Sequence, residues 1–193
     1  MSFVTRLLDR RGGTPGSIDP VGRVERLGRA VCVIEPMRRR HLRAVLSIEG
    51  QVYPRPWTLA VFHAELDRVR TGERYYVVAK LDGEIVGYGG LLLMAGEAHV
   101  TNLAVDPAWH RRGVGRSLLA ALAREAISRD CAAMSLEVRV SNRAAQELYQ
   151  RFGFTPAGVR KKYYENVEDA IVMWCHDIDT PEYARQLLAL EAT

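Results

Sequence analysis

Residues 102–126 read NLAVDPAWHRRGVGRSLLAALAREA, and this stretch decides how the rest of the chain folds. An apolar run ending at Val105 predicts a buried strand, the DP pair at 106–107 predicts a turn, and a basic glycine loop precedes a long amphipathic helix. Because Gly113 and Gly115 carry no Cβ, backbone N–H groups there can approach an anion at the positive end of the helix dipole. The stretch therefore predicts a phosphate-binding loop, although glycine turns also begin many helices for purely structural reasons.

Length and cysteine content limit the class of protein. The chain has 193 residues, which suits one domain with a real core, and it has no apolar run near the about 20 residues that span a membrane. Cys32, Cys131 and Cys175 are far apart and lack any zinc-ligand spacing. We therefore expect reduced, buried thiols in a cytoplasmic protein, with no metal and no membrane partner.

The net charge of +4 is concentrated at the start of the chain. Residues 1–30 contain six arginines and three acidic residues, so they carry three of the four surplus charges. This segment also lacks a sustained apolar period and the compact apolar core of about 7–15 residues that a secretory signal needs. We expect a flexible basic extension over 1–30, through which contact with a ribosome stays open, and no direct nucleic-acid binding by the nearly neutral remainder.

The pattern before the glycine loop alternates strands and helices. The DG pair at 82–83 lies between two apolar runs, which is typical of a hairpin, and Thr58 has the side chain of a helix N-cap. The arginines at 38–40 are expected on a solvated helix face. In chain order, the predicted elements are a strand at 31–35, a helix at 37–49, a loop at 53–58, a helix from 59 to Val69, and strands at 75–81, 84–94 and 99–105.

After the glycine-loop helix, the segment MSLEVRV at 134–140 alternates, with Glu137 on the less apolar face. A helix capped by Ser141 or Asn142 follows, and its apolar line is predicted at Ala144, Leu148 and Phe152. Two apolar runs at 156–164 and 170–175 predict a closing antiparallel pair, and the last residues predict a short helix. The order of elements predicts an α/β (α+β) fold, with a mixed, mostly antiparallel central sheet flanked by helices.

Several segments between residues 34 and 173 are similar to the GNAT superfamily of acyl-CoA-dependent N-acetyltransferases. The glycine loop and LYxxxGF are common to the superfamily, whereas the combination of LEVRxSN, paired tyrosines and EDAIxM resembles the narrower RimI group. The resemblance implies a GNAT domain over 31–177, followed by a helical tail at 178–193. The matching segments are PW at 56–57, NLAVDP at 102–107, RRGVGR at 111–116, LEVRVSN at 136–142, AQELYQRFGF at 145–154, RKKYY at 160–164 and EDAIVM at 168–173.

The resemblance implies acetyl-CoA as cosubstrate. The strand end before the loop would offer backbone groups to the pantetheine arm and the thioester oxygen, and the loop would hold the pyrophosphate. Asn142 would contact the cofactor arm, cap the helix, or do both. His110 replaces the usual Gln or Arg at the start of the loop, so binding is expected to persist, weakened or made pH-sensitive. The implied cofactor residues are Leu103, Ala104, Val105, Arg111, Arg112, Gly113, Val114, Gly115, Arg116 and Asn142.

The resemblance also implies two catalytic residues. Glu137 would be the general base, and partial desolvation on its strand is expected to raise its pKa, unless it is a solvated carboxylate paired with Arg139. Tyr149 would be the general acid for the leaving thiolate, with an exposed edge near the cofactor, unless it is an ordinary half-buried tyrosine. Three further residues are candidates for shaping a peptide groove, with simple packing as the alternative: Trp57, Tyr163 and Tyr164.

The pKa values of amines indicate which kind of acceptor the enzyme can use most readily. An α-amino group titrates near about 7.7–8.0 and a lysine near about 10.4, so a weak base suffices more readily for a protein N-terminus. The RimI resemblance implies the N-terminal alanine of a small-subunit ribosomal protein. A small-molecule amine or a protein lysine is the alternative within the enzyme class, although no acidic cluster suggests it. A non-catalytic acyl-CoA-binding regulatory module is the alternative of another class, disfavoured by the presence of Glu137 and Tyr149 and mildly favoured by His110.

Overall fold

The computed structural model describes residues 24–27 and 30–192. Most of the predicted N-terminal extension, residues 1–23 and 28–29, lies outside the described residues. Val24–Leu27 form the first strand, however, and pair antiparallel with the next strand from Val24 opposite Val33 to Leu27 opposite Ala30. This part of the extension differs from the flexible segment that was expected, because its backbone completes the hydrogen bonds of a sheet edge.

Eight strands and five α-helices make up the described residues, and no helix among them is long and apolar enough to cross a membrane. Short 3₁₀ turns lie at Arg39–His41 and Pro107–Trp109. The strands are β1 Val24–Leu27, β2 Ala30–Pro36, β3 Arg74–Leu81, β4 Glu84–Met94, β5 Glu97–Val105, β6 Ala133–Arg139, β7 Thr155–Tyr164 and β8 Glu168–His176. The helices are α1 Leu42–Val52, α2 Leu59–Val69, α3 Val114–Ser128, α4 Arg143–Arg151 and α5 Pro181–Glu191.

The strands form one sheet in the order β1-β2-β3-β4-β5-β6-β8-β7. Neighbouring strands are antiparallel except β5 and β6, which are parallel and are connected through α3. A parallel pair requires such a crossover, because the chain must return to the same end of the sheet. The predicted mixed, mostly antiparallel sheet flanked by helices is therefore confirmed.

Apolar side chains pack on both faces of the sheet. On one face, Leu118 and Leu122 of α3 pack with residues of β6 and with the core side chains of α4 and α5. On the other face, α1 and α2 contribute Val45 and Phe62 to a smaller cluster that includes Tyr88 of β4. The hydrophobic effect thus fixes the sheet between two helical layers.

Helix α1 begins later than the sequence predicted. Arg38 is extended, Arg39–His41 form a 3₁₀ turn, and the α-helix starts at Leu42 rather than at residue 37. Three consecutive arginines oppose the positive end of a helix dipole, which is a physical reason for the later start. The arginines are exposed as predicted, and Arg39 pairs with Asp67 at 2.7 Å.

Helix α4 is rotated relative to the predicted apolar line. Ala144 is exposed, whereas Gln146 and Tyr149 are buried. The Gln146 side-chain amide donates hydrogen bonds of 3.0 Å to the carbonyls of Arg139 and Val140, so a polar residue is stable inside. This rotation changes the environment of Tyr149.

Candidate active site

Strands β5 and β6 separate in the middle of the sheet. Their parallel ladder covers only four rungs, from Glu97 opposite Ala133 to Val100 opposite Leu136. On its other side β5 has a bulge, because Val100 pairs with Leu91 and Asn102 pairs with Gly90, which leaves residue 101 unmatched. A bulge bends its strand, so residues 101–105 and 137–139 face each other without mutual pairing. We call this gap the β5–β6 opening.

A compact turn connects β5 to α3. The Asp106 side chain accepts a hydrogen bond of 2.9 Å from the N–H of Ala108, and His110 Nε2 donates to the carbonyl of Val105 at 3.0 Å. Gly113 has a φ of +80°, a left-handed conformation, immediately before the first helical residue. The first-turn N–H groups of α3 have no acceptor inside the helix, and Gly115 in this turn lies against the Val105 side chain at the end of β5.

One arginine of this loop, Arg116, has a buried N–H donor without a hydrogen-bond partner. Arg111 and Arg112 are exposed, and the Arg112 guanidinium lies 4.9 Å from the centre of the Trp109 ring. Arg116 is half-buried, and its buried Nε has no hydrogen-bond partner. A buried donor without an acceptor is costly, and it lies at a helix N-terminus where anions bind favourably. These observations fit a phosphate-bearing ligand.

The Glu137 carboxylate lies on β6 and is nearly buried, with 9% of its side chain exposed. Its Oε2 is 3.0 Å from His99 Nε2, and its Oε1 is 3.1 Å from an Arg160 guanidinium nitrogen. The hydrogen bond from His99 lowers the pKa of Glu137 below its ordinary value, outweighing burial, and the charges of His99 and Arg160 act in the same direction. The expectation that burial would raise the pKa of Glu137 is wrong. It considered desolvation alone and left out His99 on β5 and Arg160 on β7.

Arg139 does not pair with Glu137. Its guanidinium binds Glu165 at 2.9 Å and Glu168 at 3.0 Å, and it lies 4.1 Å from the centre of the Tyr164 ring. The Tyr164 hydroxyl donates a 3.1 Å hydrogen bond to the Glu137 carbonyl. These contacts of Arg139 and Tyr164 hold the β7–β8 hairpin against β6 beside the opening.

Tyr149 is buried, with 6% exposure, and its ring centre is 6.0 Å from that of Phe154. Burial raises the pKa of Tyr149 to about 12. The exposed edge expected for this residue is not observed, because the rotation of α4 turns the ring inward. Burial raises the pKa values of Tyr53 and Tyr164, and the nearby Tyr149 phenol acts in the same direction, so the three tyrosines lie near one another.

Tyr53 was not identified from the sequence. Its hydroxyl donates to the Leu103 carbonyl at 3.4 Å, and its ring packs with the α1–α2 cluster. Tyr149 belongs to the cluster on the opposite face of the sheet. The two phenols therefore approach the opening from its two sides. Nothing in the sequence indicated that Tyr53 belongs to the site, because only the folded chain brings residue 53, which follows α1, next to β5.

Glu49 is a second site residue that the sequence did not reveal. Its Oε1 accepts a 2.8 Å hydrogen bond from the backbone N–H of Trp57, and its Oε2 accepts one from the Tyr88 hydroxyl. Burial raises the pKa of Glu49. Trp57 itself is partly buried, with its ring centre 5.4 Å from that of Phe62. In this structure Glu49 anchors the loop at 53–58.

Asn102 is 8% exposed, and its Oδ1 is buried without a hydrogen-bond partner. It lies directly after the unmatched residue of the β5 bulge. A buried amide oxygen without a donor is unfavourable unless a ligand or water supplies one. Asn102 therefore places an unsatisfied acceptor on β5 next to the bulge.

The remaining predicted residues have observable structural contacts. Asn142 caps α4, accepting a 3.1 Å hydrogen bond from the N–H of Ala145. Tyr163 is exposed, packs edge-to-face on Tyr164 and lies under the Arg160 guanidinium. Leu103, Ala104 and Val105 place their side chains in or against the two cores, leaving their backbone toward the opening. Over residues 24–27 and 30–192 no group of three or more potential metal ligands is present.

Residues 42–154 match the Acetyltransferase (GNAT) family. The ribosomal protein bS18-alanine N-acetyltransferase of Escherichia coli K12 is 35% identical over 144 residues, covering 72% of this chain and 94% of that protein. The N-alpha-acetyltransferase RimI of Mycobacterium tuberculosis is 34% identical over 140 residues, covering 68% and 83%. The crystal structure of the Escherichia coli ribosomal-protein-S18-alanine N-acetyltransferase superposes with a TM-score of 0.68 at 32% identity, covering 76% of this chain and 94% of that one. These similarities confirm the resemblance to the GNAT superfamily and the RimI group.

Proposed function

The chain belongs to the GNAT family of acetyltransferases and is an acyltransferase, and from this premise we propose that it acetylates the N-terminal α-amino group of a protein. The acceptor we propose is the N-terminal alanine of a small-subunit ribosomal protein, and the name of the Escherichia coli relative gives an alanine of ribosomal protein bS18 as its substrate. One observation carries the proposal: the β5–β6 opening lies between the glycine loop after β5, where Arg116 Nε has no partner, and the Glu137 carboxylate on β6.

Acetyl-CoA is the cosubstrate that these residues fit. When bound, it supplies the acetyl group as an activated thioester. The first-turn N–H groups of α3 and the unpartnered Arg116 Nε would hold its phosphates, with Arg111, Arg112, Gly113, Val114 and Gly115 forming the rest of the loop. The unpaired side of β5 at residues 103–105 would bind the extended arm through its backbone, and Asn142 would contact it from the start of α4.

The acceptor amine must lose a proton before it can attack. Glu137 is an anion at neutral pH, so it can bind an incoming ammonium and accept its proton, directly or through water. An α-amino group is neutral in a fraction roughly 300 times larger than a lysine side chain at the same pH, because their pKa values differ by about 2.5 units. The lowered pKa of Glu137 makes it a weak base. It is therefore better suited to deprotonating an N-terminal amine than a lysine side chain.

Two further groups serve the transfer itself. Backbone N–H groups at the splayed end of β5 would stabilise negative charge on the acetyl oxygen, as donors fixed in advance do in other acyl transfers. Tyr149 would donate a proton to the departing thiolate, since a phenol whose pKa is about 12 is fully protonated at neutral pH. Trp57, Tyr163 and Tyr164 would shape the groove for the first residues of the acceptor.

We place the reaction in the cytoplasm, where ribosomal proteins are made. The partners are the protein N-terminus and the cosubstrate, with no membrane and no nucleic-acid contact in the proposal. The proposal needs no metal, since the base, the acid and the oxyanion donors come from this chain.

Peptides test the proposal directly. Purified protein and acetyl-CoA are incubated with peptides that begin with alanine, serine or methionine, and with an N-terminally blocked peptide that carries lysine, and products are identified by mass spectrometry. We expect the alanine peptide to be acetylated fastest, and Glu137→Gln to lower kcat by about 10²-fold or more. Glu84→Gln removes an equal charge from an exposed position at the start of β4 and should match the wild type. Transfer to lysine alone, or coenzyme A binding without any transfer, would contradict the proposal.

A further inference from the structure

The extra residue of the β5 bulge is bonded to a tyrosine two strands away. Thr101 is the residue left unmatched between Val100 and Asn102 where β5 pairs with β4. Its Oγ1 lies 3.3 Å from the hydroxyl oxygen of Tyr76, which belongs to β3. Because β4 lies between β3 and β5, this hydrogen bond passes over one whole strand of the sheet. The bulge is therefore held through a side chain as well as through its backbone.

Gly90 of β4 makes this long reach possible. Tyr76 and Gly90 are register partners, and a Cβ on Gly90 would lie 2.2 Å from Cε1 of the Tyr76 ring. A side chain at this position would have to displace the ring, because interiors are close-packed. Gly90 also pairs with Asn102, the residue after the bulge, so the ring and the bulge lie at the same level of the sheet.

The Tyr76 hydroxyl is itself held by Glu65 of α2. It donates a 2.9 Å hydrogen bond to Glu65 Oε2, which also accepts one of 2.6 Å from Arg74 Nε. A phenol has a single hydrogen, so when that hydrogen is directed at Glu65, the Tyr76 oxygen accepts from the Thr101 hydroxyl. Tyr76 is 2% exposed, and burial raises the pKa of Tyr76, so the phenol keeps its proton at neutral pH. Both hydrogen bonds are thus satisfied together.

The place of the bulge decides how the end of β5 is presented. Leu103 and Val105 pack with the main core, whereas Ala104 packs with the α1–α2 cluster. Side chains alternate along a strand, so a slip of one residue would exchange these environments. Successive N–H groups of a strand also point to opposite edges, so the same slip would turn groups that face the opening toward β4. Fixing the bulge at Thr101 therefore fixes which backbone groups a ligand meets.

We propose that Tyr76 is a positioning residue: by holding Thr101 it keeps the bulge at one place on β5 and so presents the backbone of residues 103–105 to acetyl-CoA. This inference rests on the proposed function, because it concerns the strand that is proposed to bind the cofactor. Tyr76 is buried, so it acts through Thr101 and not by contact with either substrate.

The test is Tyr76→Phe, which keeps the ring over Gly90 and removes the hydroxyl. Tyr75→Phe is the matched control, because Tyr75 is the preceding residue of β3 and packs against the main core, on the other face of the sheet. Hydrogen exchange of residues 101–105, followed by mass spectrometry, reports on the bulge directly. We expect about 3–10-fold faster exchange there in Tyr76→Phe and the wild-type rate in Tyr75→Phe.

Cofactor binding is measured on the same variants by calorimetry. We expect the Kd for coenzyme A to rise by about 3–10-fold in Tyr76→Phe, the effect of losing one hydrogen bond that orders the site. The KM for the alanine peptide should stay within about twofold, because the acceptor does not bind through residues 103–105. Tyr75→Phe should leave both constants unchanged.

A double variant separates the bond to Thr101 from the bond to Glu65. Thr101→Val removes the same hydrogen bond from β5 and leaves the Tyr76–Glu65 contact in place. If the Tyr76–Thr101 bond positions the bulge, the double variant should bind coenzyme A within about twofold of the weaker single variant.

Two results would overturn the inference while leaving the proposed function intact. One is a Tyr76→Phe protein with wild-type exchange and Kd, and the other is losses of affinity that multiply in the double variant. A wild-type protein that does not bind coenzyme A would overturn both. A protein that binds coenzyme A without acetylating any peptide would contradict the proposed function alone, since exchange and Kd still decide the role of Tyr76.

Discussion

The Glu137 carboxylate is held between an imidazole and a guanidinium, and this position affects folding as well as chemistry. Its pKa in the folded protein is lowered from an ordinary value of 4.5. A carboxyl whose pKa is depressed by folding stabilises the native state at pH values above its unfolded pKa. That contribution disappears as the pH falls through the folded pKa, because both states are then protonated.

We expect the stability difference between wild type and Glu137→Gln to depend on pH. The free energy of unfolding, measured with urea, should favour the wild type by the largest margin above about pH 4.5, and the margin should shrink as the pH is lowered toward about 3. Glu84→Gln controls for the loss of one charge. A margin that grows on acidification would show that the folded pKa is raised, contrary to the contacts with His99 and Arg160.

At the scale of single residues, the sequence suggested the candidate catalytic residues but not the contacts that surround them. Glu137 and Tyr149 follow from short motifs, but the partners of Glu137 come from residues 99 and 160, which only strand register brings to residue 137. The burial of Tyr149 depends on a helix rotation set by the Gln146 hydrogen bonds. Local periodicity carries no information on either, because the first depends on strand register and the second on side-chain hydrogen bonds from α4 to the end of β6 and the residue after it.

At the scale of elements, the loop before α3 has a left-handed backbone at the position proposed to bind the cofactor. Gly113 has φ +80°, and a Cβ on Gly115 would lie 3.4 Å from the Leu148 side chain. The sequence predicted this strand–loop–helix unit well, because glycine, proline and an amphipathic period are all local signals. It could not predict that the His110 side chain would hydrogen-bond the Val105 carbonyl five residues earlier, because this contact depends on the exact conformation of the loop.

Gly113→Ala should weaken coenzyme A binding. A left-handed conformation costs a non-glycine residue about 1–2 kcal/mol, so the loop is expected to relax away from its anion-binding shape and raise the Kd by about tenfold, as measured by calorimetry. Gly96→Ala is a matched control, since Gly96 has the same φ of +80° in the turn at the other end of β5. It should lose similar stability with an unchanged Kd, and equal effects on Kd would contradict a specific role for the loop.

At the scale of the whole molecule, α5 is part of the main core. Tyr183 and Leu187 are buried with the residues of α3, and Arg124 of α3 forms an ion pair with Glu191. Amphipathic spacing predicted a helix in this region, and the mixed sheet followed from the order of elements. The surface that α5 covers could not be predicted, since its partners lie on other elements, with Gln186 bonded to Arg151 and Glu191 to Arg124, which are 35 and 67 residues away.

Two adjacent leucines of α5 provide a test of this packing. Leu187 is 3% exposed and Leu188 is 47% exposed. Leu187→Ala should lower the free energy of unfolding by about 2–5 kcal/mol through lost burial and a cavity. Leu188→Ala should change it by less than about 1 kcal/mol. Equal, small losses in urea unfolding would indicate that α5 contributes little to the core.

The four-rung ladder between β5 and β6 also bears on how the protein avoids aggregation. Unpaired strand edges at the rim of a sheet are templates on which other chains can add, and proteins usually shorten, charge or cover them. Here the incomplete edge lies in the middle of the sheet, flanked by Tyr53 on one face and Tyr149 on the other. An edge inside the sheet is bordered by strands on both sides, so it offers a strand from a second molecule less room to pair than an edge at the rim does. The unpaired backbone of β5 is therefore protected from neighbouring chains by its place in the sheet.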